Sequence, residues 1–370
     1  MGMKLLLVLS YGTGFEVWTR AGILSECLEL IQRFASIYEE VWVFGYGDRG
    51  EVRSYREMLA PNVRMIARPR WIPKLVYSLL WPVLWARKLR GVGMIRTWQL
   101  WGSWAAIIFK LLLRSKLLLR QGFQFSKFVR GRRWLYLLAT FFEKLAYMVA
   151  DKVIVTTKDD KNYIVSRYGI DPRKIAVIPN WVDTKLFRPM DEVEKERGRI
   201  IFVGRLERQK NVLALVKAVK MIPDVRLYIF GSGSLEAEVR REIEGFDNVR
   251  FMGVIPHEKL PVELNKSEIF VLPSLYEGHP KALLEAMACG LPVIGSDVEG
   301  IRGIIEDGVN GVLCGLDPES IREKILLLAS DRGLRERLGR EARRYVVENF
   351  SFEKLFLREL EVHRELLSDH

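Results

Sequence analysis

Three cysteines in 370 residues, Cys27, Cys289 and Cys314, are too few and too scattered for a disulfide framework or a CxxC metal site, and they suit a reducing compartment. Histidine is as scarce: His257, His279, His363 and His370 all fall in the last third, so the first half offers no imidazole as a base or ligand. No apolar run reaches the about 20 residues that a membrane-spanning helix needs. The best candidate, Trp71 to Ala86, contains Lys74 and Pro82 and runs into Arg87, Lys88 and Arg90. The opening MGMKLLLVLSYGTGF stays apolar only briefly before its glycines, which fits a buried first strand and not a secretory leader. No DxD-like pair stands at a strand end. A composition of 49% hydrophobic and 28% charged residues excludes a disordered or collagen-like chain.

Acidic residues are missing from one long stretch. Between Glu57 and Glu143 there is none, against 16 basic residues and seven of the ten tryptophans. Residues 1–190 carry 31 Lys+Arg and 14 Asp+Glu, whereas residues 191–370 carry 27 and 32, so the halves have opposite net charge and different partners. Basic side chains beside Trp and Leu, as in PRWIPKLVYSLLWPVLWARKLRGVG and KFVRGRRWLYLLATFFEKLAYMVADK, suit an anionic membrane surface, with rings at the headgroup level and cations on lipid phosphates. Buried helices with a basic outer face are the second reading. Nucleic acid, which also takes cations interleaved with aromatics, is the least favoured.

Short apolar runs alternate with amphipathic stretches: 4–10, 41–46, 92–97, 116–120, 152–157 and 174–179, then, after the charged MDEVEKERGR, 200–204, 226–231, 249–253, 269–274, 292–296 and 311–314. Helical patterns fall at 20–36, 211–220, 234–244, 257–265 and 281–288. Near-continuous apolar strands separated by helices predict an α/β fold of two Rossmann-like, doubly wound parallel-sheet domains facing across a cleft, spanning 1–175 and 176–350. The amphipathic segment 351–370 follows the final strand and is expected to pack back on the first domain.

The densest constellation is VLPSLYEGHPKALLEAMACGLPVIGSD at 271–297. Pro280 suits the first turn of a helix that ends near Gly290. No capping side chain precedes it, so the amides of Lys281, Ala282 and Leu283 and the positive helix end form an anion site. Glu277 lies just before that end and Glu285 about one and a half turns inside. Two carboxylates flanking a phosphate can accept hydroxyl groups on either side of it, which describes a nucleotide sugar. Arg205 and Lys210, in FVGRLERQKN after the strand 200–204, can neutralise a diphosphate. Gly231 and Gly233 permit close backbone approach. In YGTGFE, Gly12 and Gly14 either turn the chain near a phosphate or acceptor or make a purely structural tight turn; a strict GxGxxG is absent.

The string EGHPKALLEAMACGLPVIGSDVEGIRGIIEDGVNGVL resembles the donor-site segment of the family 4 retaining glycosyltransferases, which have the GT-B fold, and Glu277 and Glu285 match their Glu-x7-Glu motif. PNWVDTKLFRP, FVGRLERQKN, IFGSGSLE and FMGVIPHEKL follow the family in the right order, so the resemblance is firm over about 150–350 and loose before it. It implies that Glu277, Arg205 and Lys210 are catalytic, with Glu277 orienting the donor sugar and the two cations stabilising the leaving diphosphate without a metal or other cofactor. It also implies that Gly278, His279 and the first turn of the helix bind the donor, that the backbone at Val254 and Ile255 reads the base, and that the loop of Gly12 and Gly14 lies over the phosphates. Many relatives carry a His at the end of the fourth strand; here MIRTWQLW puts Arg96, Trp98 or Gln99 on the acceptor side.

The expectation is a retaining hexosyltransferase using a nucleotide diphosphate sugar and a lipid-linked or membrane-presented acceptor, cytoplasmic and peripheral on the membrane's inner face. The alternatives are a soluble enzyme for a small anionic or polyol acceptor, a nucleotide-sugar epimerase, or a nucleic-acid-binding protein.

Overall fold

Leu5, Leu6 and Leu7 are all fully buried although successive strand residues face opposite sides of a sheet, so the first strand is covered on both faces. The same holds for Ile200, Ile201 and Phe202 in the second half. The computed structural model describes residues 3–122, 126 and 133–368; most of the basic run KFVRGRR, 127–132, lies outside the described residues.

The chain divides into two units, Met1–Ile178 with Leu357–His370, and Pro179–Phe356. In the first, β1 (Lys4–Val8), β2 (Glu40–Phe44), β3 (Val63–Ile66), β4 (Val92–Thr97), β5 (Lys116–Gln121), β6 (Lys152–Val155) and β7 (Ile175–Val177) form a parallel sheet of order β3-β2-β1-β4-β5-β6-β7. Its helices are α1 (Phe15–Arg20), α2 (Leu24–Ala35), α3 (Arg49–Tyr55), α4 (Lys74–Trp85), α5 (Ser103–Leu113), α6 (Arg133–Val149) and α7 (Lys158–Tyr168). In the second, β8 (Arg199–Val203), β9 (Arg226–Phe230), β10 (Val249–Gly253), β11 (Ile269–Leu272), β12 (Val293–Ser296) and β13 (Val312–Cys314) pair in parallel in the order β10-β9-β8-β11-β12-β13. Around it lie α8 (Val212–Lys220), α9 (Glu236–Glu242), α10 (Leu260–Asn265), α11 (Lys281–Ala288), α12 (Glu299–Arg302), α13 (Pro318–Ser330) and α14 (Arg332–Phe350). A last helix, α15 (Phe352–Ser368), begins in the second unit and ends in the first.

Both sheets reverse their winding direction once, between β1 and β4 and between β8 and β11. Loops leaving the carboxyl ends of those strand pairs diverge and open a crevice, the place where such sheets bind ligands.

Two elements depart from the sequence reading. β3 was not foreseen because it is a four-residue edge strand with the exposed Arg64 in its middle; that guanidinium pairs with Glu40 of β2. The single helix expected over 20–36 is two, since Gly22 adopts φ 72° and ends the first after Arg20.

The terminal segment begins to join the first unit at Leu357, not at Ser351. Phe352 instead packs against Trp181 in the second unit, with ring centroids 4.3 Å apart and planes tilted by 54°. Further along α15, Glu359 is buried between two cations. Arg96 Nε donates to Glu359 Oε1 at 2.5 Å and Arg120 Nη1 to Oε2 at 2.9 Å. Burial alone would raise this carboxyl, but the fields of Arg96 and Arg120 hold it well below the usual carboxylate range. One turn on, His363 stacks on Phe34 and bonds Tyr38 Oη through Nδ1 at 2.7 Å; burial lowers its pKa and outweighs the pull of Glu359. The helix is thus fastened to β4, β5 and α2 by a charge cluster that water does not reach.

Breaking such a cluster on one side leaves uncompensated buried charge. Glu359→Gln is expected to cost about 3–5 kcal/mol, whereas Glu365→Gln, which removes the exposed partner of Lys152, costs under about 1 kcal/mol. Urea unfolding of both variants checks this; equal midpoints would contradict it.

Candidate functional site

The loop after β8 is held by glycines beneath it. Gly231 stands at φ 135°, and a Cβ there would collide with the carbonyl oxygen of Gly204; one at Gly233 would collide with the backbone of Leu206. With no side chains in the way, Leu206 N donates to Ser232 O and Leu235 N to Leu206 O, both at 2.8 Å. These glycines therefore bring backbone against backbone and set the path of the Arg205 loop. Glu207 adds a clamp by accepting from Ser234 N at 3.0 Å and Ser234 Oγ at 2.7 Å. Arg205 is left exposed, with Nη2 3.5 Å from Gln209 Oε1.

The loop after β11 meets this one directly. Leu275 N donates to Gln209 O at 2.8 Å and Gln209 Nε2 to Tyr276 O at 2.9 Å. Between them Lys210 Nζ pairs with Glu277 Oε1, which also accepts from Ser274 Oγ at 2.7 Å. From the other side Gly300 of α12 packs so closely on the carbonyls of Glu277 and Gly278 that no Cβ would fit. Glu277 is thereby seated in a fixed loop, and Gly278 beside it is exposed.

Pro280 follows as the N-cap of α11 with an extended backbone and makes no side-chain cap hydrogen bond to the first turn, Lys281 to Leu283. Asn180 Nδ2 donates to His279 O at 2.7 Å and pins the approach to the helix. The His279 ring packs edge-on against Phe350, and burial pushes its pKa down to about 4, so it is a neutral packing group. Lys281 rests its ammonium over the Trp181 ring at 4.5 Å; burial lowers it to about 8 against the pull of Glu285.

Glu285 is buried inside α11 and faces a partner that the sequence reading missed. His257 Nε2 lies 2.8 Å from its Oε1. Burial works to lower the His257 pKa, but the hydrogen bond and charge of Glu285 raise it overall. The sequence signal for it is the stretch VIPHEKL, which also holds Val254 and Ile255. Those two lie on the loop after β10, Val254 exposed and Ile255 half-buried.

In the first unit, two expectations are corrected. Arg96, read as an acceptor-side residue, is 1% exposed and committed to Glu359, so it is inaccessible to any acceptor. The amino end of α1 is not an open phosphate site either. Glu51 of α3 accepts from the amides of Phe15 and Glu16 at 3.3 Å or less, and a Cβ at Gly14 would strike that carboxylate. Gly12 has φ 79° on the preceding turn, and its carbonyl lies 3.5 Å from Lys74 Nζ. Trp98 packs against Trp18 with ring centroids 4.9 Å apart and planes tilted by 40°, and Gln99 Oε1 accepts from Gly122 N at 2.7 Å; both are half-buried.

Two family models match this arrangement: Glycosyltransferase Family 4 over residues 25–186 and Glycosyl transferases group 1 over residues 183–345. The chain belongs to the family 4 glycosyltransferases. It is 31% identical, over 63% of its length and 64% of the relative's, to the Escherichia coli UDP-Gal:alpha-D-GlcNAc-diphosphoundecaprenol alpha-1,3-galactosyltransferase. It is 28% identical, over 62% and 67%, to the alpha-maltose-1-phosphate synthase of Mycolicibacterium smegmatis. It thus spans about two thirds of the length of these curated relatives. Among solved structures, sucrose-phosphate synthase from Thermosynechococcus elongatus covers 100% of both chains with a TM-score of 0.80 at 22% identity. Anabaena HepE in complex with UDP covers 98% of this chain and 100% of its own with a TM-score of 0.79 at 16% identity. At those identities the likeness establishes the GT-B fold.

The His279 imidazole gives this family 4 chain a pH dependence, in the same sense as the buried His363. Between the unfolded value near 6.5 and the folded value of about 4, unfolded His279 binds a proton that folded His279 does not. Stability contributed by His279 is therefore lost as pH falls through that window. His257, raised in the fold, acts in the opposite sense. In urea unfolding at pH 7 and pH 5, His279→Phe is expected to lose less stability on acidification than the wild type. An equal loss would contradict the assignment.

Proposed function

We propose that this chain transfers a hexosyl group from a nucleotide diphosphate sugar, with retention of anomeric configuration, to a lipid-linked or membrane-presented acceptor. The observation that carries the donor half is the cluster at the β8/β11 reversal: the Lys210–Glu277–Ser274 contacts, the exposed Arg205, and the uncapped end of α11.

In this reading Arg205, Lys210 and the amides of Lys281, Ala282 and Leu283 receive the diphosphate and stabilise the charge that grows on it as the sugar leaves. Gly278 and His279 contribute backbone. Both contacts to Glu277 fall on Oε1, which leaves Oε2 for a hydroxyl of the donor sugar. Glu285 is likewise held at Oε1 by His257 and offers Oε2 to a ribose hydroxyl. Val254 and Ile255 present backbone to the base. Cation and dipole do the work that a metal would otherwise do, so the reaction is proposed to need none.

The bond from the anomeric carbon to the phosphate oxygen breaks, and the acceptor oxygen bonds to the same face of that carbon. The acceptor proton passes to the departing phosphate oxygen, since no imidazole precedes residue 257 to act as base. Glu277 orients the sugar and does not attack it. Trp98 and Gln99 remain candidates for the acceptor side.

The lipid-linked acceptor is supported by the acid-free, Trp-rich stretch 58–142 and by the lipid-linked acceptor in the name of the Escherichia coli relative. It would place the protein on the inner face of a membrane. A soluble, small anionic or polyol acceptor is the second reading, supported by the names of the maltose-1-phosphate and D-inositol 3-phosphate enzymes among the relatives. Activity free of lipid and detergent would favour it.

Glu277→Gln is expected to lower turnover by about 100-fold or more while nucleoside diphosphate affinity stays within a few fold. Kinetics with a screened donor, joined to proton NMR of the first-formed product, test both claims. Full turnover in the variant would end the role of Glu277, and an inverted anomer would end the retaining mechanism.

A further inference from the structure

Helices α4 and α6 are apolar on their outer faces as well as their inner ones. α4 buries Tyr77, Ser78 and Pro82, yet Leu75, Leu79, Leu80, Val83 and Leu84 face solvent, Leu84 at 63% exposure. α6 buries Ala139, Glu143, Ala146 and Tyr147. On its opposite side Trp134, Leu137, Leu138 and Phe141, spaced i, i+3, i+4 and i+7, are exposed, Trp134 at 68%. α5 packs against both helices and adds the exposed Leu111 and Leu112 at its end. Trp71, just before α4, is 83% exposed. Water-soluble proteins rarely leave so many neighbouring large apolar side chains uncovered.

The surrounding charge is of one sign. Arg87, Lys88 and Arg90 follow α4, Arg114 closes α5 and Arg133 opens α6, and all five are exposed. Lys88 holds its ammonium over the Trp85 ring at 4.7 Å, with an apolar stem and a wet head. Glu143, the first acid after Glu57, is buried and occupied by Ser126 Oγ at 2.7 Å and by Tyr168 Oη. Among the described residues of α4, α5 and α6 no carboxylate is therefore exposed, and Asp151, just past α6, is paired with Lys110 of α5 at 2.6 Å. No helix among the described residues is long and apolar enough to cross a membrane.

We infer that the α4–α5–α6 face is a seat on an anionic lipid bilayer, with the three helices lying along the interface and the arginines and lysines on lipid phosphates. A second copy docking by the same face would set one basic rim against another, and a protein partner would have to supply an acidic frame around an apolar centre. An anionic leaflet supplies both the apolar interior and the negative rim. The inference rests on the lipid-acceptor reading only for the reason to be at a membrane, and the experiment keeps the two apart.

Flotation of the full chain with phosphatidylcholine vesicles, with and without phosphatidylglycerol, at low and high salt, reads the seat directly. The wild type is expected to float with the anionic vesicles about tenfold or more above the neutral ones, and to lose part of that preference in high salt. Leu80→Asp/Leu84→Asp and Trp134→Asp/Phe141→Asp, all at exposed positions, are expected to keep the wild-type unfolding midpoint and its response to nucleoside diphosphate while losing flotation. Arg87→Glu/Lys88→Glu is expected to lose the anionic preference. Wild-type flotation that ignores lipid charge and salt would overturn the inference, as would Asp variants that float like the wild type. Light scattering that finds a lipid-free dimer dissociated by Leu80→Asp/Leu84→Asp would assign the face to a second copy instead. Flotation as expected, with transfer only to water-soluble acceptors, would leave the seat standing and end the lipid-acceptor reading.

Discussion

Lys210 and Glu277 leave neighbouring strands, β8 and β11, whose connections run to opposite sides of the sheet. Such a reversal opens a gap at the carboxyl edge, and the ion pair between these residues ties the two lips of that gap together. Gln209 laces the same loops through backbone partners at Leu275 and Tyr276, and Gly300 supports Glu277 from behind. The position of the α11 amino end follows from that arrangement, because Pro280 lies three residues past Glu277. A donor diphosphate entering here would meet cations and amides already in place, which is the preorganised electrostatics that charge-separating reactions need.

The first unit uses buried charge for a different purpose. Glu359 brings the end of the chain back onto β4 and β5 through two arginines, and Glu51 fills the amino end of α1. Both are internal carboxylates placed where positive groups would otherwise remain unpaired. Arg96 and the Gly14 turn therefore serve the fold, and the outer surface of the unit carries its own features: a basic rim and the apolar faces of α4 and α6. The residues proposed for the chemistry lie in the second unit, while the unusual surface belongs to the first.

Much of this was legible in the chain. Apolar runs such as KLLLVLS and RIIFV report strands covered on both sides, and the motifs FVGRLERQKN and EGHPKALLEAM put Arg205 and Lys210 after one strand and Glu277 after another. What escaped depends on contacts distant in sequence. β3 hides because an edge strand tolerates Arg64 in its centre. Arg96 looked exposed because its partner lies 263 residues away, and His257 looked incidental because its partner Glu285 comes from another helix. Periodicity reports which face of an element is apolar; it does not report which charge another element will bring to it.

The proposed donor site stands or falls on whether the β8/β11 crevice takes a nucleoside diphosphate. The most direct measurement is the unfolding midpoint of the full chain with UDP, GDP and ADP in turn, repeated on Lys210→Ala. A ligand at about 100 times its Kd adds about 2.7 kcal/mol, or roughly 5–10 °C in a domain of this size. At least one nucleotide is expected to raise the midpoint by that much, and Lys210→Ala to remove most of the rise. If none of the three moves the midpoint at millimolar concentration, or if Lys210→Ala responds like the wild type, the donor-site assignment is wrong.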